Sequence, residues 1–214
     1  MDAVVRDIVR SLDASPVQLP RGGTLTARRF LQLGLLLGSG SGFEALHNLL
    51  ELARCPVGDA LPDHFLLAVE AAQEQFETNP IYWMLHESIY CDGPAAEGDN
   101  GSGASRWAAE RVQEEMGEAW DYRKRLAAGS EPINLTGEMV YSWMGEDYAW
   151  LRPLKNCAEL LASKDDWPKL YDVPTLSSER VPPSAALVSY VSLRVSSLIH
   201  SARVTHHSTP SPSF

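Results

Sequence analysis

Trp83, His86, Glu87 and Tyr90 stand at i, i+3, i+4 and i+7, a spacing that sets all four side chains on one face of a helix. A carboxylate between aromatic rings suits a small organic cation with an apolar body: the charge pairs with Glu87 while the body packs on Trp83 or Tyr90. A protonated pyrrolidine has that shape. The same periodicity also describes an amphipathic helix whose aromatics fill a core and whose glutamate pairs with an arginine. On spacing alone, both readings stay open.

Two neighbouring motifs carry less. His86-Glu87-Ser88-Ile89-Tyr90 opens like the HExxH of zinc peptidases, in which histidines at i and i+4 grip the metal. Tyr occupies the place of the second histidine, and His206-His207 stands near the chain end in a stretch read as unstructured, so no metal is expected. Gly40-Ser41-Gly42-Phe43-Glu44-Ala45 fits a loose dinucleotide-binding turn. The residues before it, Arg28 to Leu33, read as helix rather than strand, which makes Gly40 to Gly42 a turn between helices. No cofactor is expected.

The 214 residues carry 18 Lys and Arg against 28 Asp and Glu, a net charge of −10 that disfavours a nucleic-acid backbone as partner. With 44% hydrophobic and 21% charged residues, the composition is that of a folded globular protein. Met1 to Leu12 interleaves Asp2, Arg6, Asp7 and Arg10 with apolar residues, so no export leader is read there. No apolar run approaches the roughly 20 residues that a bilayer requires. Cys55, Cys91 and Cys157 lack any CxxC spacing. These features together predict a cytoplasmic protein with reduced thiols and no membrane partner.

The elements that must position the four residues read as helices almost throughout. Val4, Val5, Ile8, Val9 and Leu12 define one face, ending before Pro16. Thr24 suits the cap of a second helix through Phe30, Leu33 and Leu37, and a third carries Phe43, Leu46, Leu49, Leu50 and Leu52. A fourth begins near Pro62-Asp63, and a fifth opens at Asn79-Pro80 and continues to Tyr90. An exposed, Gly-rich loop is expected over 92–105, then a helix from Trp107 to Ala128 with Glu110, Arg111, Glu114 and Glu115 on its solvated side. Another helix spans Arg152 to Ser163, and the only strand-like segment is late, over 185–205.

Read in order, Leu19-Pro20-Arg21-Gly22-Gly23-Thr24, Gly42-Phe43-Glu44-Ala45-Leu46-His47, Asn79-Pro80-Ile81-Tyr82, Leu85-His86-Glu87-Ser88-Ile89-Tyr90-Cys91, Arg106-Trp107-Ala108-Ala109-Glu110-Arg111, Thr136-Gly137-Glu138-Met139-Val140-Tyr141-Ser142-Trp143-Met144 and Lys164-Asp165-Asp166-Trp167 form a recognisable series. The chain resembles the proline iminopeptidases (prolyl aminopeptidases), α/β-hydrolase-fold serine peptidases with a large helical cap, from about Asp2 to Val181. The resemblance implies a mainly α chain: the helical cap, with the central parallel sheet largely missing, followed over 182–214 by a divergent, poorly ordered tail.

It also implies a hydrolase that releases an N-terminal proline from a peptide through a serine nucleophile in a Gly-x-Ser-x-Gly elbow. No such elbow occurs here, since Gly40 stands where the serine would be in Gly38 to Gly42, and no Asp or Glu follows Glu179. No catalytic residue is therefore assigned, and the chain is expected to be a cap-containing fragment, inactive alone. By the same resemblance Glu87 is the carboxylate for the substrate's amino terminus and Glu138 a second candidate. Trp83 and Tyr90 follow as ring contacts, and Tyr141 and Trp143 as cap-lining aromatics. The rival expectation is a non-enzymatic helical module that associates through its exposed apolar face.

Overall fold

A computed structural model describes residues 2–54, 60–90, 104–129, 131–164 and 167. The chain divides into one compact unit of residues 1–87 and 106–164, and a second of 88–105 and 165–214. Nearly all the described residues belong to the first. The strand-like segment at 185–205, the tail from 182, Cys55, Cys91 and most of the 92–105 loop lie outside the described residues.

Helices dominate the described part. α1 (Asp2–Ala14) buries Val5, Ile8, Val9 and Leu12, the face its sequence period anticipates. α2 (Ala27–Leu31) passes directly into a 3₁₀ segment, Gln32–Gly38, and the Gly40–Gly42 turn leads on to α3 (Gly42–Glu51). That turn is preceded by helical residues, so the dinucleotide reading has no strand to stand on. α4 (Asp63–Thr78) starts after Pro62 and buries Phe65, Leu66, Val69 and Phe76 along with two polar residues, Glu70 and Gln73. The buried faces of α1 and α4 join Leu25, Phe30, Leu31, Leu33, Leu46 and Leu50 in the main core.

Three sequence expectations need correction. Thr24 does not cap α2: Thr24–Leu25 (β2) pairs antiparallel with Val17–Gln18 (β1), Thr24 opposite Gln18, and the cap is Thr26, whose hydroxyl accepts from Arg29 N–H at 3.2 Å. The hairpin escapes sequence reading because two-residue strands have no period. The helix expected from Trp107 to Ala128 is interrupted, giving α7 (Ala108–Glu115), a 3₁₀ turn Gly117–Ala119 and α8 (Tyr122–Ala128). Asp121 starts the chain anew by accepting from the N–H groups of Arg123 and Lys124. The helix from Pro80 to Tyr90 is likewise split, into α5 (Pro80–Met84) and α6 (His86–Tyr90). Leu85 between them leaves the helical basin, with φ −102° and ψ 27°.

A buried polar cluster ties the first half of the chain to the last. Arg29, only 1% exposed, donates from Nε to Gln73 Oε1 at 3.0 Å and from Nη1 to the Asp147 carbonyl at 2.7 Å, and its guanidinium lies 3.8 Å from the centre of the Tyr148 ring. Gln73 returns a bond to the Arg29 carbonyl. Arg28 reaches the other way, to both oxygens of Asp147 and to Glu146. These contacts hold α9 (Met144–Asp147), and α10 (Lys155–Ala162) follows it through a short 3₁₀ turn at Arg152–Leu154.

The stretch after Ile133 meets the end of α2, where Thr136 N–H donates to the Leu31 carbonyl at 2.9 Å. Backbone approach is so close here that a methyl on Gly34 would lie 2.3 Å from the Thr136 carbonyl oxygen. Gly34→Ala should therefore destabilise the fold by roughly 1–3 kcal/mol as the crowded segment shifts away. Urea and thermal unfolding should show this as lower midpoints at unchanged secondary-structure content.

Candidate functional site

The split between α5 and α6 changes what the four sequence-selected residues do. Trp83 is fully buried and donates its indole N–H to the Tyr141 carbonyl at 2.8 Å. It packs 5.8 Å from Trp107. The His86 ring stacks on the same indole at 3.8 Å between centroids and 19° between planes. Both halves of the interrupted helix thus pack on one residue, Trp107. Tyr90 closes α6 and is half-buried.

Trp107 is the member the sequence pattern missed. It lies 21 positions after His86 and 24 after Trp83, and no local period marks it. Its backbone takes a left-handed conformation, φ 60° and ψ 54°, directly after Arg106 at φ 48°. Such backbone is costly for bulky side chains, and it persists where packing overdetermines it. Here the packing is the double contact with His86 and Trp83. Gly145 completes the enclosure, because a methyl at that position would lie 2.9 Å from the far edge of the Trp83 indole.

Glu87 is wholly buried, as is His86, and its Oε1 lies 3.1 Å from His86 Nε2. The other ring nitrogen, Nδ1, lies 3.0 Å from the Trp83 carbonyl. The carboxylate therefore meets an imidazole on its own helix. Both imidazole nitrogens are occupied by these contacts, which leaves the HExxH-like motif without a free ligand. Among the described residues, no group of three or more His, Cys, Asp and Glu is placed to hold a metal ion.

Glu138 is exposed, so it does not share the enclosed setting of Glu87. Tyr141 and Trp143 stack at 5.0 Å and 19°, and Arg28 covers Trp143 at 4.8 Å. Glu110, read from sequence as solvated, accepts from the backbone N–H of Ser142 at 3.1 Å and from its hydroxyl at 2.7 Å, fastening α7 to the Tyr141–Trp143 segment. A cleft of about 380 Å³ opens beside this stack, lined by Glu110, Trp120, Tyr122, Lys124, Tyr141 and Trp143 among others. It does not include Glu87.

Over 186 residues, 86% of this chain, the sequence is 41% identical to the proline iminopeptidase of Aeromonas sobria, and the matched part is 39% of that protein. The chain is a relative of the proline iminopeptidases. A second match, 32% identical over 183 residues, is the proline iminopeptidase aneH of Aspergillus aculeatus, where it covers 83% of this chain and 36% of the relative. No family model matches the chain. The chain thus spans less than two-fifths of the length of these proline iminopeptidases. Its described part is mostly helical, consistent with a partial chain of that family. No helix among the described residues is long and apolar enough to cross a membrane.

Electrostatics under the aromatic stack give a pH signature. Hydrogen bonds from Lys155 at 2.8 Å and then from Arg28 at 2.8 Å hold the Glu146 carboxyl below its ordinary value of 4.5. A depressed carboxyl contributes stability that is complete above its unfolded value and is lost as pH falls through the folded one. Glu146→Gln should therefore flatten the acid limb of stability below about pH 4.5, where the wild type loses this contribution and the variant has none to lose. Melting temperatures collected across the acid range measure the difference.

Proposed function

We propose that this chain is the helical, substrate-recognising part of a proline iminopeptidase-type serine hydrolase, and that Glu87 receives the protonated amino terminus of a peptide beginning with proline. The observation that carries the reading is the setting of Glu87 in a chain related to named proline iminopeptidases: a wholly buried carboxylate, 3.1 Å from the His86 imidazole that itself stacks on Trp107. In such surroundings a charge-assisted bond to an ammonium is worth more than in water. Trp83 and Tyr90 are the ring contacts in this reading, and Glu138 a second, more exposed charge. Because Glu87 is enclosed, a ligand reaches it only when covering side chains move aside.

The reaction itself is assigned to sequence other than this chain, whose 214 residues contain no Gly-x-Ser-x-Gly. The helical part would then supply specificity and exclude water from the bond being cleaved. A cytoplasmic location and the α/β-hydrolase cap architecture belong to the same proposal. A second reading, a helical module that binds a protein partner, draws on the exposure of Phe43 (70%), Ile81 (60%), Trp150 (70%) and Leu160 (70%).

Calorimetric titration of the 214-residue chain with L-prolinamide, alongside hydrolysis of a proline naphthylamide and labelling by a fluorophosphonate, tests the first reading. Binding without turnover or label is expected, and Glu87→Gln should weaken it at least tenfold, the scale of a lost hydrogen bond to a charged group. Labelling with turnover would overturn the assignment of the chemistry elsewhere. Unchanged affinity in both Glu87→Gln and Glu138→Gln would overturn the recognition role and favour the partner-binding module.

A further inference from the structure

Resting on the reading of Glu87 as the carboxylate for the substrate's amino terminus, we propose that His86 is its positioning residue, fixing the carboxylate through a single shared proton. The argument is one of hydrogen-bond roles. His86 Nδ1 lies 3.0 Å from the carbonyl oxygen of Trp83, which can only accept, so Nδ1 carries a hydrogen. In a neutral imidazole of that tautomer Nε2 bears a lone pair. Yet Nε2 faces Glu87 Oε1 at 3.1 Å, and an ionised carboxylate also offers only lone pairs. The contact closes when one more proton sits between them, on the ring or on the carboxyl. In either form Oε1 is committed to His86.

The ring cannot turn away from this duty without breaking other contacts. It is stacked on Trp107 at 3.8 Å, and Trp107 is itself set by left-handed backbone and by its packing on Trp83. The carbonyl that selects the tautomer belongs to Trp83, whose indole is tied to Tyr141. The orientation of Glu87 is thus set by a chain of contacts running from Tyr141 through Trp83 to His86. His86 touches no substrate in this scheme and acts only through Glu87.

Nitrogen-15 spectra of the His86 imidazole in the 214-residue chain, compared with the Glu87→Gln variant, read the proton directly. The wild type should show hydrogen on Nδ1 and a protonated or strongly hydrogen-bonded Nε2, and Glu87→Gln should move the Nε2 signal toward the bare-nitrogen range. A bare Nδ1, or a spectrum indifferent to Glu87→Gln, would overturn the proposal, and neither needs an altered ring.

Prolinamide titration supplies the functional arm. His86→Phe keeps an aromatic ring against Trp107 but has no N–H, and should bind roughly tenfold more weakly or worse. His86→Gln, whose amide can donate to the carboxylate, should recover most of that loss. Equal losses in the two variants would mark His86 as merely structural, and wild-type affinity in both would remove it from the site altogether. If Glu87→Gln binds like the wild type, the reading of Glu87 fails, and the nitrogen spectra still decide whether the shared proton exists.

Discussion

The burial of Arg29 constrains everything that follows in the fold. A guanidinium that is 1% exposed must have its donors matched and its charge balanced, or its desolvation outweighs what it contributes. Gln73 of α4, the carbonyl of Asp147 at the end of α9 and the face of Tyr148 meet that demand from two different elements. The cost of burial spreads to its neighbours: desolvation raises the carboxyl of Glu70, although two bonds from the Arg21 N–H and the field of Arg29 oppose it. Burial pushes the Tyr148 phenol up strongly, and its hydroxyl is satisfied by Gln32 at 2.8 Å. Because Arg28 at the preceding position turns outward to Asp147, Glu146 and Trp143, this one short helix locates the whole aromatic segment around Tyr141.

That placement is what gives Trp83 its partner. The Tyr141 carbonyl accepts from the indole, Gly145 lets the far edge of the indole approach α9, and the Trp83 carbonyl then faces His86. The candidate site is therefore built from the far end of the polar cluster and does not stand on its own helix. An enclosed histidine–glutamate pair and two successive residues at positive φ are both unfavourable locally, and they are retained together where packing on Trp107 compensates. Concentration of such features around one carboxylate is the physical reason to look for function there, independently of the relationship to proline iminopeptidases.

Much of the helical plan was legible in the residues. The period of Val5, Ile8, Val9 and Leu12 located α1, and Pro62-Asp63 located the start of α4, because burial of one apolar face and the constraints of proline act within a few residues. Where tertiary contacts compete with local preference, the sequence pattern overreached. It ran α5 into α6 as one helix, carried α7 into α8 and placed the cap at Thr24, since a two-residue pairing between β1 and β2 has no period of its own. Glu110 illustrates the same limit: on a helical wheel it belongs to the charged side, and only the approach of Ser142, 32 positions away, makes it an acceptor.

The sequence by itself determined that the chain is folded, acidic and helical, that Glu87 sits among aromatic residues, and that Tyr90 denies zinc its second histidine, because composition, adjacency and short spacing are fixed by covalent order. Tertiary structure alone decided that Glu87 is enclosed, that its Oε1 meets His86 and that Trp107 stacks on that imidazole, while Glu138 stays on the surface. Burial and hydrogen-bond partnership across long separations depend on how helices meet, and a guanidinium 58 positions before Glu87 has as much part in that meeting as any residue beside it.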